Sequence, residues 1–281
     1  MMSRREALSN NLSVIEPITE TPLLDLQLIM CHVLKIDRLK LILNQNQSLS
    51  EVDYTEYMKL VDERAVGRPV QYIISEQEFM GLDFYVDERV LIPRGDTEVL
   101  VEAIVEIYKN KSCKFVEVGT GSGAIAVSLV KLLDKSYGIT LDISEDALDV
   151  ARKNAKKNGV MDRLELLKSD VFDGLNIDEK SLDFIVSNPP YIPTEVLDKL
   201  HVRVKDFEPH MALDGGDDGL DFYRQIVDKS RIYLRDGGQV FFEVGHDQSG
   251  DISKLFVENG YRDIYTIKDL QGFERVVIAT F

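Results

Sequence analysis

Four consecutive residues, Asn188-Pro189-Pro190-Tyr191, follow the apolar run 182–186, which predicts a buried strand. The two prolines fix φ and lack backbone N–H groups, so the turn that they form presents carbonyl oxygens. Asn188 adds a side-chain oxygen, and Tyr191 adds an aromatic wall. A pair of acceptor oxygens suits a planar NH2 group, which has two hydrogens to donate. The run therefore predicts a catalytic site for an amide or exocyclic amino nitrogen.

A glycine-rich turn precedes this run and lies between a predicted strand, 115–118, and a predicted helix. Glycines allow tight turns and close approach of a ligand, which also suits NAD or simple helix–strand packing. Two details favour S-adenosylmethionine. The spacing is G-x-G-x-G, and Glu117 stands just before it, where a carboxylate repels a pyrophosphate but tolerates a cation. The turn consists of Gly119, Thr120, Gly121, Ser122 and Gly123.

Acidic residues follow the next two predicted strands. Asp142 ends the strand 139–141, and a carboxylate there can accept hydrogen bonds from both hydroxyls of a ribose. Sites for NAD and for S-adenosylmethionine share this role, and the alternative is that Asp142 caps the helix that begins at Ser144. Asp170 and Val171 follow the third strand and could meet the amino group and the face of an adenine. A plain loop is the alternative there.

Strands alternate with helices from Lys114 onward. Such alternation predicts an α/β fold with a doubly wound, mostly parallel sheet. Ligands of such sheets bind at the carboxyl ends of the strands, where both turns lie. Further predicted strands are 164–167, 184–186, 240–244 and 275–281, and further predicted helices are 97–108, 144–158 and 220–234.

The chain before this region reads as helical. Thr21-Pro22 is a helix start signal, and Ser50 resembles the first residue of a capping box. The runs 70–74 and 84–86 are rich in β-formers, and we interpret them as a hairpin that links two domains. We therefore predict a helical domain over 1–67, a hairpin linker over 68–93 and a catalytic domain over 94–281.

The formal net charge is -16, which argues against nucleic acid as a direct partner because binding to phosphates needs a basic footprint. It is compatible with a cationic ligand or a basic protein partner. Cys31 and Cys113 form no zinc spacing, the histidines are scattered, and we expect no metal site and a cytoplasmic location. No apolar run is long enough to cross a bilayer, and the first twelve residues lack the apolar stretch of a secretory signal.

The Asn188-Pro189-Pro190-Tyr191 run resembles the signature of methyltransferases that act on amide or exocyclic NH2 nitrogens. Within that group, nearly the whole chain is similar to the HemK/PrmC family, the glutamine-N5 methyltransferases of peptide chain release factors. The other motifs that carry the resemblance are Gly67-Arg68-Pro69-Val70-Gln71-Tyr72-Ile73, Val90-Leu91-Ile92-Pro93-Arg94, Glu208-Pro209, Asp218-Gly219-Leu220, Phe242-Glu243-Val244-Gly245 and Arg275-Val276-Val277.

The resemblance implies a helical N-terminal bundle that helps to hold the release factor, and a Rossmann-like, S-adenosylmethionine-dependent methyltransferase domain. It implies that the substrate is the glutamine of the Gly-Gly-Gln loop. Carried over to this sequence, Gly119 to Gly123, Asp142 and Val171 line the cofactor site, Asn188 touches both cofactor and substrate, and Pro189, Pro190 and Tyr191 hold the substrate amide.

The sequence departs from the family pattern at two places. Gly95-Asp96 stand where the family usually has proline and then an acidic residue, which predicts a looser segment with its chemistry retained. Val171 stands where an aromatic residue is common, so the resemblance does not imply stacking on adenine.

An amide nitrogen is a poor nucleophile, because its lone pair is delocalised into the carbonyl. We expect the side-chain oxygen of Asn188 and the backbone carbonyl of Pro189 to accept its two N–H bonds, and to stabilise the positive charge that develops on nitrogen. The nearest alternative is a nucleic-acid methyltransferase acting on adenine or guanine NH2, which should carry a basic groove or an RNA-binding module. An NAD-dependent oxidoreductase conflicts with the glycine spacing, and a non-catalytic adaptor should have lost Asp142 or Asn188.

Overall fold

A computed structural model describes the chain except for two residues, Met1 and His201, which fall within the predicted regions 1–67 and 94–281 and lie outside the description. The described ranges are thus 2–200 and 202–281. None of the helices in these ranges is both long enough and apolar enough to span a bilayer.

The described residues form two compact units. The boundary falls between Glu76 and Gln77, so the first unit continues past Gly67 into the segment that we predicted as a linker. The short segment 202–207 packs with the first unit, although it lies late in the sequence. The units comprise residues 2–76 with 202–207, and residues 77–200 with 208–281.

The first unit consists of helices around a core of aliphatic side chains and Tyr57. The predicted helix starts are confirmed, because Pro22 begins the second helix and the Ser50 hydroxyl accepts a hydrogen bond from the Asp53 N–H at 3.0 Å. A side-chain acceptor at this position satisfies an N–H that has no partner within the helix. The helices are α1 (Arg4–Ile15), α2 (Pro22–Leu34), α3 (Arg38–Leu43), α4 (Glu51–Ala65), α5 (Val70–Ile74) and α10 (Val202–Lys205).

The first strand of the predicted hairpin is wrong, because residues 70–74 form the short helix α5. Val70 and Ile73 are three residues apart and both enter the core of the helical unit. A helix brings residues at this spacing to one face, and that packing overrides the β-propensity of the run. The linking hairpin itself is present, formed by β1 (Gln77–Phe79) and β2 (Leu82–Phe84).

A seven-stranded sheet forms the centre of the second unit. Neighbouring strands follow the order β5-β4-β3-β6-β7-β9-β8, and β9 is the strand that pairs antiparallel with both of its neighbours. The predicted doubly wound, mostly parallel sheet is therefore confirmed. The strands are β3 (Cys113–Val118), β4 (Ser136–Asp142), β5 (Leu164–Lys168), β6 (Leu182–Ser187), β7 (Leu234–Glu243), β8 (Arg262–Lys268) and β9 (Glu274–Thr280).

Helices cover both faces of this sheet. Successive residues of a strand face opposite sides, and accordingly Phe184 joins one buried cluster while Ile185 joins the other. The first cluster includes residues of α6 and α7, and the second includes residues of α11 and α12. The helices of this unit are α6 (Gly95–Tyr108), α7 (Ala124–Leu132), α8 (Glu145–Lys157), α9 (Thr194–Leu197), α11 (Asp221–Tyr233) and α12 (Ser249–Glu258).

Candidate functional site

The two predicted turns lie side by side at the carboxyl edge of the sheet. Strands β3 and β6 are neighbours, and Val118 pairs with Ser187 at the end of both. The strand order reverses here, because β4 and β5 extend to one side of β3 while β6 and β7 extend to the other. Such reversal points open a crevice for ligands. A cavity of about 500 Å³ lies at this edge and is lined by residues of both turns.

The glycine turn takes its shape from backbone conformations that favour glycine. The φ angles are 86° at Gly119, 52° at Gly121 and 81° at Gly123, and residues with a Cβ rarely adopt such values. A Cβ on Gly123 would also lie 3.1 Å from the Cβ of Ala151. Thr120 and Ser122 complete the turn, and all five predicted residues except Gly123 line the cavity.

The carboxylate of Asp142 lies at the end of β4, beside the glycine turn. It accepts the N–H of Gly121 at 2.9 Å and the N–H of Ser144 at 2.9 Å. Burial raises its pKa, and the backbone hydrogen bonds oppose that rise. Ser144, not Asp142, caps α8 by accepting the Ala147 N–H at 3.2 Å. Each carboxylate oxygen has a further lone pair, so Asp142 can still accept hydroxyl groups from the cavity that it lines.

Glu117 is fully buried below the glycine turn. Its Oε2 accepts a hydrogen bond from the Thr140 hydroxyl at 2.5 Å, and Thr140 lies 2.7 Å from the Thr120 hydroxyl. Burial raises the pKa of Glu117 to about 8. The carboxyl is therefore largely protonated at neutral pH, and it would lose that proton most readily beside a cation.

Asp170 and Val171, which follow β5, both line the cavity, but they differ in exposure. Asp170 is exposed, whereas Val171 is 5% exposed. Val171 also has φ of 48°, an unusual conformation for a β-branched residue. Strained backbone of this kind is often found at ligand sites, where surrounding structure holds it in place.

The proline turn begins at Asn188, whose backbone oxygen lies 3.8 Å from the ideal Cβ position of Gly119. Asn188, Pro189 and Pro190 line the cavity. Tyr191 is not among the described residues that line it; its ring packs against the buried cluster beneath. Burial raises the pKa of Tyr191 to about 12, so the phenol stays protonated.

Three residues to which we assigned no role hold the proline turn from outside. The Gln248 side chain donates to the Tyr191 carbonyl at 3.0 Å and accepts the Gly245 N–H at 3.0 Å. Gly215 and Gly219 lie so close that a Cβ would come within 2.8 Å of the Pro190 oxygen and 2.3 Å of the Tyr191 oxygen, respectively. The sequence signal was the run of glycines around Asp217 and Asp218.

A second buried carboxyl, Glu243, lies behind Asn188. Glu243 ends β7 and is 2% exposed. The side chains of Thr97 and Asn188 face its carboxyl group, and Asn188 Nδ2 donates to Thr97 Oγ1 at 3.4 Å. The sequence signal for Glu243 was its place in the motif 242–245, to which we assigned no role.

Residues before α6 form another part of the cavity wall, which the pattern of strands and helices did not indicate. Arg89, Val90, Leu91 and Arg94 line the cavity, and Arg94 makes an ion pair of 2.5 Å with the buried Glu208. The ion pair ties the segment before α6 to the segment after α10, and both belong to the second unit.

S-adenosylmethionine fits the residues present. The glycine turn allows close approach of a ligand, Asp142 offers acceptor oxygens for a ribose, and the buried carboxyl of Glu117 has a second oxygen, Oε1, that makes no hydrogen bond to any described residue. Such an acceptor suits a cationic ligand, because a cation favours its ionised form.

Comparison with known proteins identifies the family. Residues 6–74 match the family model of the PrmC N-terminal domain, and residues 95–203 match that of the methyltransferase small domain. A release factor glutamine methyltransferase of Clostridium botulinum is 40% identical over 257 residues, which cover 91% of each chain. The chain belongs to the release factor glutamine methyltransferase family. Another relative with that name, from Clostridium acetobutylicum, is 39% identical and covers 99% of this chain and 98% of its own.

Among solved structures, a methyltransferase of Pyrococcus furiosus shares the fold, with a TM-score of 0.54 at 19% identity. The match covers 72% of this chain and 89% of that chain. The Rossmann-like methyltransferase fold that the sequence predicted is thereby confirmed.

Gly95, where the family usually has proline, lies at the start of a helix. Gly95 is the first residue of α6, and a Cβ there would meet no atom within 4 Å. Proline is favoured at this position of a helix, because the N–H that it lacks would have no helical partner. Glycine instead leaves the entry to α6 less constrained, while Thr97 two residues later stays buried beside Asn188.

Proposed function

We propose that this chain transfers a methyl group from S-adenosylmethionine to the side-chain amide nitrogen of the glutamine in the Gly-Gly-Gln motif of peptide chain release factors. The observation that carries the proposal is the proline turn after β6, which lines one cavity together with the glycine turn after β3. The relatives that cover most of this chain carry the name of the same activity.

The cofactor would lie against the glycine turn. Asp142 would accept the ribose hydroxyls, and Asp170 and Val171 would meet the adenine, since all three line the cavity beside that turn. Glu117, Gly119, Thr120, Gly121, Ser122 and Gly123 would surround the remainder of the cofactor, together with Asn188. When bound, the cofactor supplies an electrophilic methyl group on a sulfonium.

The proline turn would hold the substrate amide. The side-chain oxygen of Asn188 and the carbonyl of Pro189 would accept the two N–H bonds of the glutamine, while Pro190 and Tyr191 keep the turn rigid. Both acceptors would stabilise positive charge that grows on nitrogen as the N–CH3 bond forms and the S–CH3 bond breaks. The methylated nitrogen is acidic and would then lose one proton to water. Fixing the nitrogen in one place and orientation would lower the activation barrier further, because less entropy is lost on the way to the transition state.

The helical unit would bind the body of the release factor. Helix α3 exposes Leu39, Ile42 and Leu43, which recur at helical spacing on one side of the helix. Apolar side chains exposed together often mark a protein-binding surface. We expect Leu39→Glu with Leu43→Glu to raise KM for the release factor by about tenfold, with little change in kcat.

The matched control for that experiment is Val52→Glu with Val66→Glu, which likewise introduces two glutamates, at exposed valines near the start and the end of α4. Steady-state methylation with varied release factor measures both variants. An unchanged KM in the α3 variant would remove that helix from the binding surface.

The negative charge supports a protein as the partner, and the two free cysteines support a cytoplasmic location. A net charge of -16 favours a protein over a nucleic acid as the partner, and Cys31 and Cys113 make no disulfide, which favours a reducing compartment such as the cytoplasm.

The deciding experiment supplies labelled S-adenosylmethionine with one acceptor at a time. The acceptors are a release factor, the same factor with its Gly-Gly-Gln changed to Gly-Gly-Ala, and structured RNA. We expect label in the unchanged factor alone. Label in the Gly-Gly-Ala factor would refute the assigned glutamine, and label in RNA would favour a nucleic-acid methyltransferase.

A further inference from the structure

The buried carboxyl of Glu243 occupies the position on the sheet edge next to Asn188. Ser187 pairs with Phe242 at the end of β6 and β7, so the residues that follow them stand side by side. Thr97 reaches the same point from the first turn of α6, and its side chain is also buried. The three side chains thus form a small polar group enclosed by the sheet and α6.

The polar neighbours in this group determine which end of the Asn188 side-chain amide, Nδ2 or Oδ1, faces the cavity. An asparagine amide has a donor end and an acceptor end of nearly the same shape, so its partners decide how it points. The Thr97 hydroxyl can donate or accept, whereas an ionised Glu243 can only accept. Asn188 Nδ2 therefore has to face the carboxylate and Thr97, which leaves Oδ1 for the cavity.

A reversed amide would place its oxygen against a carboxylate oxygen, with no hydrogen between them. Glu243 Oε2 is already buried without a hydrogen bond to any described residue. Adding a second acceptor beside it would cost further free energy, because buried acceptors without donors are unfavourable. The carboxylate therefore favours one orientation of the amide strongly.

We propose that Glu243 is a positioning residue, which acts directly and through the Thr97 hydroxyl to hold the Asn188 side chain with Oδ1 toward the substrate nitrogen. The inference rests on the proposed function and adds the group that sets the direction of its main acceptor. A protonated Glu243 can donate to Oδ1, and that permits the reversed amide, which presents N–H groups to the substrate NH2.

The ionisation of Glu243 consequently controls the site. The pKa of Glu243 is raised to about 7, because burial outweighs the opposing hydrogen bonds from Thr97 and Asn188. The charge of Arg275 also opposes the rise, although Arg275 makes an ion pair of 3.1 Å with Asp269 as well. The titratable and charged groups that face Glu243 are Asp96 of α6, Tyr191 after β6, Tyr223 of α11 and Arg275 of β9.

The first test measures single-turnover methylation of a release factor at saturating cofactor across pH. In the unchanged enzyme we expect the rate to rise as pH passes through about 7, because Glu243 becomes ionised. Glu243→Gln should be about tenfold slower and lose that rise. Thr97→Val should be about tenfold slower, and Thr97→Ser, which keeps the hydroxyl, should recover the rate.

The matched control is Ser230→Ala, which removes a buried hydroxyl that hydrogen-bonds to Tyr261 at 2.6 Å within the core. It should lower stability and leave the pH profile unchanged. A Glu243→Gln enzyme with an unchanged rate and profile would overturn the inference. So would Thr97→Ser as slow as Thr97→Val, because the hydroxyl would then have no orienting role.

A second test needs no release factor and separates this inference from the proposed function. The NMR signals of the Asn188 side-chain NH2 group, identified by their loss in Asn188→Ala, are followed against pH in the full chain. We expect them to titrate with a midpoint near the pKa of Glu243, and to stop titrating in Glu243→Gln. Signals insensitive to pH in the unchanged protein would overturn the inference, even if methylation of the release factor were established.

Discussion

The glycine turn, 119–123, and the proline turn, 188–191, follow neighbouring strands, yet their backbones differ in hydrogen bonding. The N–H groups of the glycine turn donate to nearby oxygens, those of Gly119 and Thr120 to the Leu141 carbonyl and that of Gly121 to Asp142. The proline turn has no N–H at two positions and presents oxygens. One cavity therefore has the carboxyl groups of Glu117 and Asp142 on one wall and the neutral polar groups of the proline turn on the other. The first wall suits a cationic ligand, and the second suits an NH2 group.

The two turns also differ in what maintains their shape. The glycine turn is held by hydrogen bonds, from the Gly121 N–H to Asp142 and from the Asn154 side chain to the Ser122 carbonyl, both at 2.9 Å, while a Cβ on Gly121 would meet no atom within 4 Å. The proline turn is held by close contacts from Gly215, Gly219 and Gln248. Substitutions should accordingly act locally at the first turn and through neighbouring segments at the second.

The largest effect should come from Asn188→Ala, which removes an acceptor from the proline turn and leaves both prolines. We expect kcat to fall by about 10²-fold or more, because the hydrogen bond strengthens as charge grows on the substrate nitrogen. Cofactor affinity should change less than kcat. Single-turnover rates with saturating cofactor measure the effect, and a rate near that of the unchanged enzyme would refute the pair of acceptors. Asn188→Asp keeps an acceptor but places a carboxylate oxygen against Glu243, so we expect its rate to stay well below that of the unchanged enzyme.

Asp142→Ala, at the glycine turn, should lower cofactor affinity more than it lowers kcat. We expect S-adenosylmethionine to bind about 1–3 kcal/mol more weakly, the scale of charge-assisted hydrogen bonds. At saturating cofactor, kcat should remain closer to its original value. Calorimetry measures the affinity, and circular dichroism checks that the variant is folded. Unchanged affinity in a folded variant would remove Asp142 from the cofactor site.

The pair Gly219→Ala and Gly121→Ala compares the contacts that hold the proline turn with the backbone conformation of the glycine turn. Gly219 has a positive φ of 75°, like Gly121, and a Cβ there would also press against the Tyr191 carbonyl, so we expect a loss of about 2–4 kcal/mol in unfolding free energy and slower methylation. Gly121→Ala should cost about 1 kcal/mol, from its positive φ alone. Urea unfolding measures both. Equal losses would show that external contacts do not hold the proline turn.

The sequence predicted both turns and the alternation of strands and helices around them, because these depend on local patterns such as Asn188-Pro189-Pro190 and the spacing of apolar runs. It did not indicate β8 or α12. Strand β8 pairs with β9, and α12 packs in the same buried cluster as β9, so both depend on contacts that their own residues do not show. The helix α5 was mistaken for a strand because the helical core outweighs its local propensity. The contact between Glu243 and Asn188 depends on the register of β6 and β7, which neither segment shows by itself.

The smallest expected effect concerns the buried carboxyls beneath the two turns, Glu117 and Glu243. Each has a pKa above its ordinary value of 4.5, to about 8 and about 7, mainly because of burial. The folded chain therefore binds protons that the unfolded chain has released, and the stability that this supplies is complete below about pH 4.5 and is lost as pH rises through about 8. Glu117→Gln is neutral at every pH and can still accept the Thr140 hydroxyl.

We therefore expect Glu117→Gln to melt a few degrees higher than the unchanged protein at about pH 9, and to differ little at about pH 5. Melting temperatures measured across this range test the expectation, with Asp170→Asn as a control because Asp170 is exposed. A cationic cofactor should oppose the loss of stability in the unchanged protein by favouring ionised Glu117, and should do so less in Glu117→Gln. If the two proteins melt alike at high pH, Glu117 is ionised without cost, and the glycine turn has a permanent negative charge beneath it.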